Sequence, residues 1–151
     1  MAKKARVKDI DKGYKEIVRS LKAASGSYTK VGFPEEGLTS SGVASIAAYN
    51  EYGTKDIPSR PFMRQSFDQN VNIIQRAQTG EYNSVLARKT TVKSALSRIG
   101  AWFVGVIQKR IVNLKSPPND PNTIRQKNSS NPLVDTGKMR QSVDHVEVID
   151  D

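Results

Sequence analysis

The sequence predicts an α+β fold, in which a long central helix and shorter helices pack on a small mixed or antiparallel sheet. The main observation is residues 90–114, where apolar side chains recur at spacings of three and four, as on one face of a helix. Such a helix would be about 36 Å long and would cross the domain. Segments 28–33 and 143–149 have the aromatic and β-branched content of short strands. The 151 residues are 36% apolar, which suits one domain, 1–151, with a buried core.

The first part of the chain predicts a basic helix followed by a strand. In this basic N-terminal helix (1–26), the amphipathic stretch 7–24 places on one face Val7, Ile10, Tyr14, Ile17, Val18 and Leu21. Gly26 can adopt the left-handed conformation that ends a helix. The strand 28–33 stops at Pro34, because proline cannot donate to a ladder. Residues 35–40 are polar and contain glycine, which predicts a loop or hairpin tip.

The middle of the chain predicts two helices separated by an extended connector. The first helix covers 43–53, with Gly53 as its C-terminal stop. Residues 54–61 contain two prolines, at a spacing that neither a helix nor a central strand accommodates. Helical spacing resumes at Phe62 and fades near Thr79-Gly80.

The second half predicts close packing on the long helix and then an irregular segment. Gly100 and Gly105 lower the helix propensity of 90–114, so we expect backbone or sheet to approach closely there. Residues 115–132 lack periodicity. We interpret them as an extended arm that orders on a partner, and a simple extended loop is the other interpretation. A short helical turn, 138–142, leads into the last strand.

The net charge of +9 is unevenly distributed along the chain. Residues 1–30 hold nine Lys/Arg against three acidic residues, residues 31–80 hold four against five, and residues 81–151 hold eleven against seven. This basic N-terminal segment has two equally supported interpretations: it binds a polyanionic or acidic neighbour, or it is a solvated surface that binds nothing. No apolar run approaches about 18 residues, and no apolar segment opens the chain. We therefore expect neither a membrane span nor a secretory signal.

Composition and motifs exclude several kinds of chemistry. The chain has no cysteine and a single histidine, His145, so it cannot form disulfides, use a catalytic thiol or build a zinc site from cysteines or from two histidines. It also lacks the phosphate-binding glycine loops, the dinucleotide fingerprint and the nucleophile elbow of hydrolases. His145 lies beside Asp144 in a predicted strand, which is typical of a surface residue. We expect neither an enzyme nor a bound cofactor or metal.

The segment LVDTG, residues 133–137, matches the turn that carries the catalytic aspartate in aspartic proteases. However, Lys138 stands where that family has a small residue, and the preceding chain is predicted to be helical rather than all-β. We therefore favour a structural interpretation, in which Asp135 or Thr136 caps the short helix that follows.

Four motifs, in this order along the chain, resemble a known family of phage proteins. They are VGFP at 31–34, AAYNEYGT at 47–54, IPSRPFMR at 57–64 and PLVDTGKMRQS at 132–142. Together they resemble the tail-completion or neck proteins of tailed bacteriophages, also described as virion morphogenesis or tail-component proteins. The resemblance covers roughly residues 28–148.

This resemblance implies a structural virion protein at the head–tail junction, assembled in the cytoplasm of the host bacterium. It implies a homo-oligomeric ring, a hexamer being one version, that completes the upper end of the tail and joins it to the DNA-filled head. The implied neighbours are tail terminator or tail tube proteins on one side and head connector or adaptor proteins on the other. Non-specific contact with genomic DNA is left open.

The connector carries the residue types that anchor protein interfaces. We predict that the interface consists of Asn50, Glu51, Tyr52, Arg60, Pro61, Phe62, Met63 and Arg64. Phe62 and Met63 also fit the start of a core helix, so part of their role is expected to be internal. The alternative function is a small basic nucleic-acid-binding protein. Few aromatic residues and no helix-turn-helix signature argue against sequence-specific binding.

Overall fold

The computed structural model describes residues 11–34 and 42–150, and in these ranges it contains six helices and two strands. In chain order they are α1 (Tyr14–Gly26), β1 (Tyr28–Gly32), α2 (Val43–Tyr52), α3 (Phe62–Leu86), α4 (Val92–Asn113), α5 (Pro121–Lys127), α6 (Lys138–Gln141) and β2 (Asp144–Val148). The α+β class is confirmed. The predicted loop at 35–40 and the predicted start of the first helix at 7–10 lie outside the described residues.

Helix α4 is the centre of the fold, as its apolar periodicity predicts. It packs against α3, α1, α6 and both strands. Ile107 and Ile111, one turn apart on α4, are completely buried. The rest of the main core comes from Val43, Ala47, Phe62, Leu114, Leu133, Met139 and Val143. Segments from both halves of the chain therefore meet on one face of α4.

The sheet consists of β1 and β2, which pair antiparallel with Tyr28 opposite Val148 and Gly32 opposite Asp144. It lies directly on α4 at Gly100, where a Cβ atom would sit 2.4 Å from Cδ2 of His145. The predicted close approach is therefore confirmed at Gly100. It is wrong at Gly105, where a Cβ atom would meet nothing within 4 Å.

Two of the predicted helices differ from the structure. Helix α3 does not fade near Thr79-Gly80 but continues to Leu86. A single glycine costs a helix about 1 kcal/mol, and the packing of α3 against α4 outweighs that cost. Val85, in the last turn of α3, is buried. Residues 11–13, which the predicted stretch 7–24 includes, are not helical: α1 begins at Tyr14, whose N–H is accepted by the Asp11 carboxylate at 2.7 Å.

The interpretation of 115–132 as an extended loop or arm is wrong for its central part, which forms α5. The Asp120 side chain caps α5 by accepting the Asn122 N–H at 2.8 Å, and Pro121 occupies the first turn. The Asn131 amide donates to the Val112 carbonyl at 2.7 Å and so fastens the segment to the end of α4. None of the described helices combines the length and apolarity that a membrane crossing requires.

Candidate functional site

The connector 54–61 folds back onto the end of α2. Gly53 ends that helix with φ 79°, and a Cβ atom there would lie 2.9 Å from the backbone nitrogen of Ser59. Glycine is therefore required both by the left-handed backbone and by the close approach. The Ser59 hydroxyl donates to the Glu51 carbonyl at 2.9 Å, so the connector is tied to the helix that it follows.

Arg60 is buried, with 3% of its surface exposed, and joins three segments. Its Nε donates to the Pro117 carbonyl at 2.7 Å, and one terminal nitrogen donates to the Pro118 carbonyl at 3.0 Å. The guanidinium also bonds the side-chain oxygens of Asn119 at 3.0 Å and Asn50 at 3.1 Å. Burial lowers the pKa of Arg60, but four hydrogen bonds to neutral oxygens satisfy the buried cation.

Glu51 is the second buried charge of the connector, with 4% of its surface exposed. Its carboxylate accepts the backbone N–H of Met63 at 2.8 Å and that of Arg64 at 3.0 Å. These are free donors at the start of α3, whose N-cap, Pro61, provides no side-chain bond. A carboxylate is also favoured there by the helix dipole.

Three members of the predicted interface are therefore internal. Arg60 and Glu51 fix the connector, and Phe62 is fully buried with its ring edge-to-face against Phe33 at 6.2 Å between centroids. Their assignment as surface contacts is wrong, because each side chain is already satisfied within the chain. The sequence motif predicted the grouping of these residues but not which of them face inward.

An exposed surface remains beside them, which we call the tyrosine face: Ile46, Tyr49, Tyr52 and Arg64. Tyr49 is 52% exposed and Tyr52 is 71% exposed, although the opposite side of the same helix is core. The Arg64 guanidinium lies 5.6 Å from the centre of the Tyr52 ring, in a cation–π arrangement. An apolar helix face without a described neighbour is typical of an interaction surface.

A cavity of about 410 Å³ adjoins this face and brings two of the sequence motifs together. Ile46 and Asn50 line it from α2, residues 135–137 line it from the LVDTG segment, and Lys138 follows them. Lys127 also lines it, and burial lowers the pKa of this lysine while the Asp135 carboxylate acts in the opposite direction. Asn50 and Asp135, which are 85 positions apart in the sequence, thus share one surface.

The predicted cap at Asp135 or Thr136 is wrong. The N-cap of α6 is Gly137, with φ 79°, and no side chain bonds the first turn. The carboxamide of Asn131 instead accepts the N–H groups of Leu133 and Val134, at 3.0 and 3.1 Å. Asp135 and Thr136 are exposed at the mouth of the cavity.

His145 makes a contact that sequence reasoning missed. Its Nε2 lies 3.3 Å from the Ser97 hydroxyl and 3.3 Å from a Glu147 oxygen, and its Nδ1 lies 3.5 Å from Asp144. The groups resemble a serine hydrolase set, but Ser97 lies inside α4, where helical hydrogen bonds occupy the neighbouring N–H groups that an oxyanion would need. No local motif marks Ser97, since its partner is 48 residues away.

Within 11–34 and 42–150, no three acidic or histidine side chains converge to hold a metal ion. Comparison of the chain with protein-family models, with curated proteins and with solved structures finds no match.

Proposed function

We propose that this chain is a structural virion protein of a bacteriophage neck, which completes the upper end of the tail and joins it to the DNA-filled head as a ring. Two things support the proposal: the ordered set of motifs that resembles such proteins, and the tyrosine face that those motifs build. Glu51 and Arg60 use their charges internally, so the connector is rigid before any partner arrives. Tyr52 and Arg64 are then presented in a fixed arrangement.

The observation that carries this proposal is the preformed, exposed tyrosine face. Tyrosine and arginine are the side chains most enriched among residues that dominate binding energy. A surface that is already ordered also loses less conformational entropy on binding. In a ring, one subunit's face would contact a different surface of its neighbour, and such heterologous contacts close when the rotation permits.

The first experiment removes the gene from the phage and images the particles. We expect packaged heads alongside tails that are unjoined or abnormally ended, because a neck protein acts after both parts are built. In intact virions the chain should form a cyclic layer at the head–tail junction. Empty heads in the deletion, or a location along the tail shaft, would contradict the neck assignment.

The second experiment tests the face itself with the double variant Tyr49→Ala/Tyr52→Ala. Both side chains are more than half exposed, so folding should survive while the yield of joined particles falls. Tyr14→Ala is the matched control, because Tyr14 is 73% exposed on α1, away from this face. Normal joining by the folded double variant, or an equal loss in the control, would refute the interface assignment.

The alternative, a small basic nucleic-acid-binding protein, is favoured by the +9 net charge. It predicts normal head–tail joining in the tyrosine variant and salt-dependent binding of duplex DNA.

A further inference from the structure

A second surface lies at the turn between α3 and α4, on the side covered by α1. A cavity of about 600 Å³ is lined there by four cationic side chains, Arg19, Arg88, Lys89 and Lys93, and by one carboxylate, Glu16. We call this surface the basic cavity. It has four cationic groups to one carboxylate, whereas the whole chain has 24 Lys/Arg to 15 Asp/Glu, so the cavity concentrates positive potential.

The basic cavity is preformed. Arg88 takes a left-handed backbone, φ 58°, and its guanidinium pairs with Glu16 of α1 at 2.6 Å. The same guanidinium packs over Gly13, where a Cβ atom would lie 3.1 Å away. This ion pair neutralises Glu16, the carboxylate that lines the cavity, and ties α1 to the turn between α3 and α4. Arg19, Lys89 and Lys93 are exposed and form no ion pair with a carboxylate of the described ranges.

One further feature adds positive charge at the same place. Helix α4 begins here, with no acidic residue in its first turn, so the positive end of its dipole is not neutralised locally. An acidic group on β2, Glu147, also lies near Lys93, whose charge helps to lower the pKa of that carboxyl.

We propose that the basic cavity binds the phosphate backbone of duplex DNA without reading its sequence. Arg, Lys and Thr side chains are the usual phosphate contacts, and Thr90 and Thr91 lie among the cations. No aromatic residue is among those that line the cavity, so it has neither a base-stacking platform nor the aromatic anchors of a protein interface. This inference does not depend on the neck assignment, because it concerns a different surface from the tyrosine face.

The test measures binding of the full chain to a labelled mixed-sequence duplex by fluorescence anisotropy, over a salt series from about 50 to about 200 mM. The site variant is Arg19→Ala/Lys89→Ala/Lys93→Ala. The matched control is Lys55→Ala/Arg76→Ala/Lys109→Ala, which removes the same number of exposed cations from outside the cavity. Circular dichroism establishes that both variants are folded.

We expect the site variant to bind at least about tenfold more weakly at low salt, and the slope of log K against log salt to fall by about two to three, since each phosphate contact contributes about 0.9. The control should keep the slope of the parent chain within about one. Equal losses in the two variants would overturn the proposal, as would the absence of binding at low salt. Tighter binding of a polyglutamate chain of matched charge would assign the cavity to an acidic protein and would also overturn it.

Discussion

The carboxylate of Glu51 closes the start of α3 by accepting the backbone N–H of Met63 at 2.8 Å, although the two residues are separated by the whole connector. This long-range cap explains why a glutamate is buried at the end of α2. The role of Glu51 is therefore internal to the fold.

Glu51→Gln should destabilise the chain by about 1–3 kcal/mol, because a neutral amide cannot accept both N–H groups and its own NH₂ would face a donor. Urea unfolding at neutral pH measures the change. Asp56→Asn, in the exposed part of the connector, is the control and should change the unfolding free energy by less than about 0.5 kcal/mol. A Glu51→Gln variant as stable as this control would show that the cap contributes nothing.

Arg60→Ala should cost about 3 kcal/mol or more, since it strands the carbonyls of Pro117 and Pro118 and leaves a space in the interior. Arg60→Lys should also destabilise, because an ammonium group cannot reproduce the planar fork. Arg64→Ala is the comparison: its side chain is 60% exposed, so the loss should stay near or below about 1 kcal/mol. If Arg60→Lys unfolds at the same denaturant concentration as the parent, the planar arrangement of guanidinium donors does not contribute to stability.

The two glycines of α4 should respond in opposite directions to the same substitution. Gly100→Ala would place a methyl group 2.4 Å from the His145 ring, so the sheet must shift and stability should fall. Gly105→Ala meets open space and should stabilise the helix by up to about 1 kcal/mol. Thermal unfolding of the two variants measures this, and a shift of the same sign in both would be inconsistent with the packing described.

Glu147 should make folding sensitive to acid. The Ser97 hydroxyl, then a backbone N–H, then His145 and Lys93 hold the pKa of Glu147 below its usual value. Because the folded pKa is the lower one, the stabilisation is present above the unfolded value of 4.5 and is lost as the pH falls through the folded value. Glu147→Gln should therefore flatten the decline in urea midpoint between about pH 6 and about pH 3. An unchanged decline would contradict this assignment.

Periodic patterns predicted the helices and strands well where local signals dominate. The α4 stripe, the strands at 28–33 and 143–149 and the stop at Gly53 all depend on neighbours in sequence. The pattern failed at Gly80, where packing against α4 outweighs a local helix breaker, and in 115–132, where a short capped helix has too few residues to show periodicity.

The orientation of polar side chains could not be predicted. Arg60 and Glu51 are charged and therefore looked like surface residues, but their partners are backbone groups of distant segments that no spacing reveals. Asp135 matches the composition of a helix cap, but no side chain caps α6, and Asn131 instead accepts the N–H groups of Leu133 and Val134 before that helix. Such roles depend on which segments contact each other in the folded chain, so they are visible only in the structure.

The pairing of β1 with β2 also has a consequence for how the protein is made. In the ladder Thr29 of β1 lies opposite Glu147 of β2, 118 residues further along the chain, so β1 has no ladder partner until β2 has left the ribosome. The α3–α4 hairpin is local and can form earlier, with the surface around Gly100 still uncovered. We therefore expect nascent chains to pass through a helical stage with an unpaired β1, because long-range strand pairing of this kind is slow and exposes the chain to aggregation. Synthesis stalled before β2 should yield a chaperone-bound or insoluble product, because the sheet closes last.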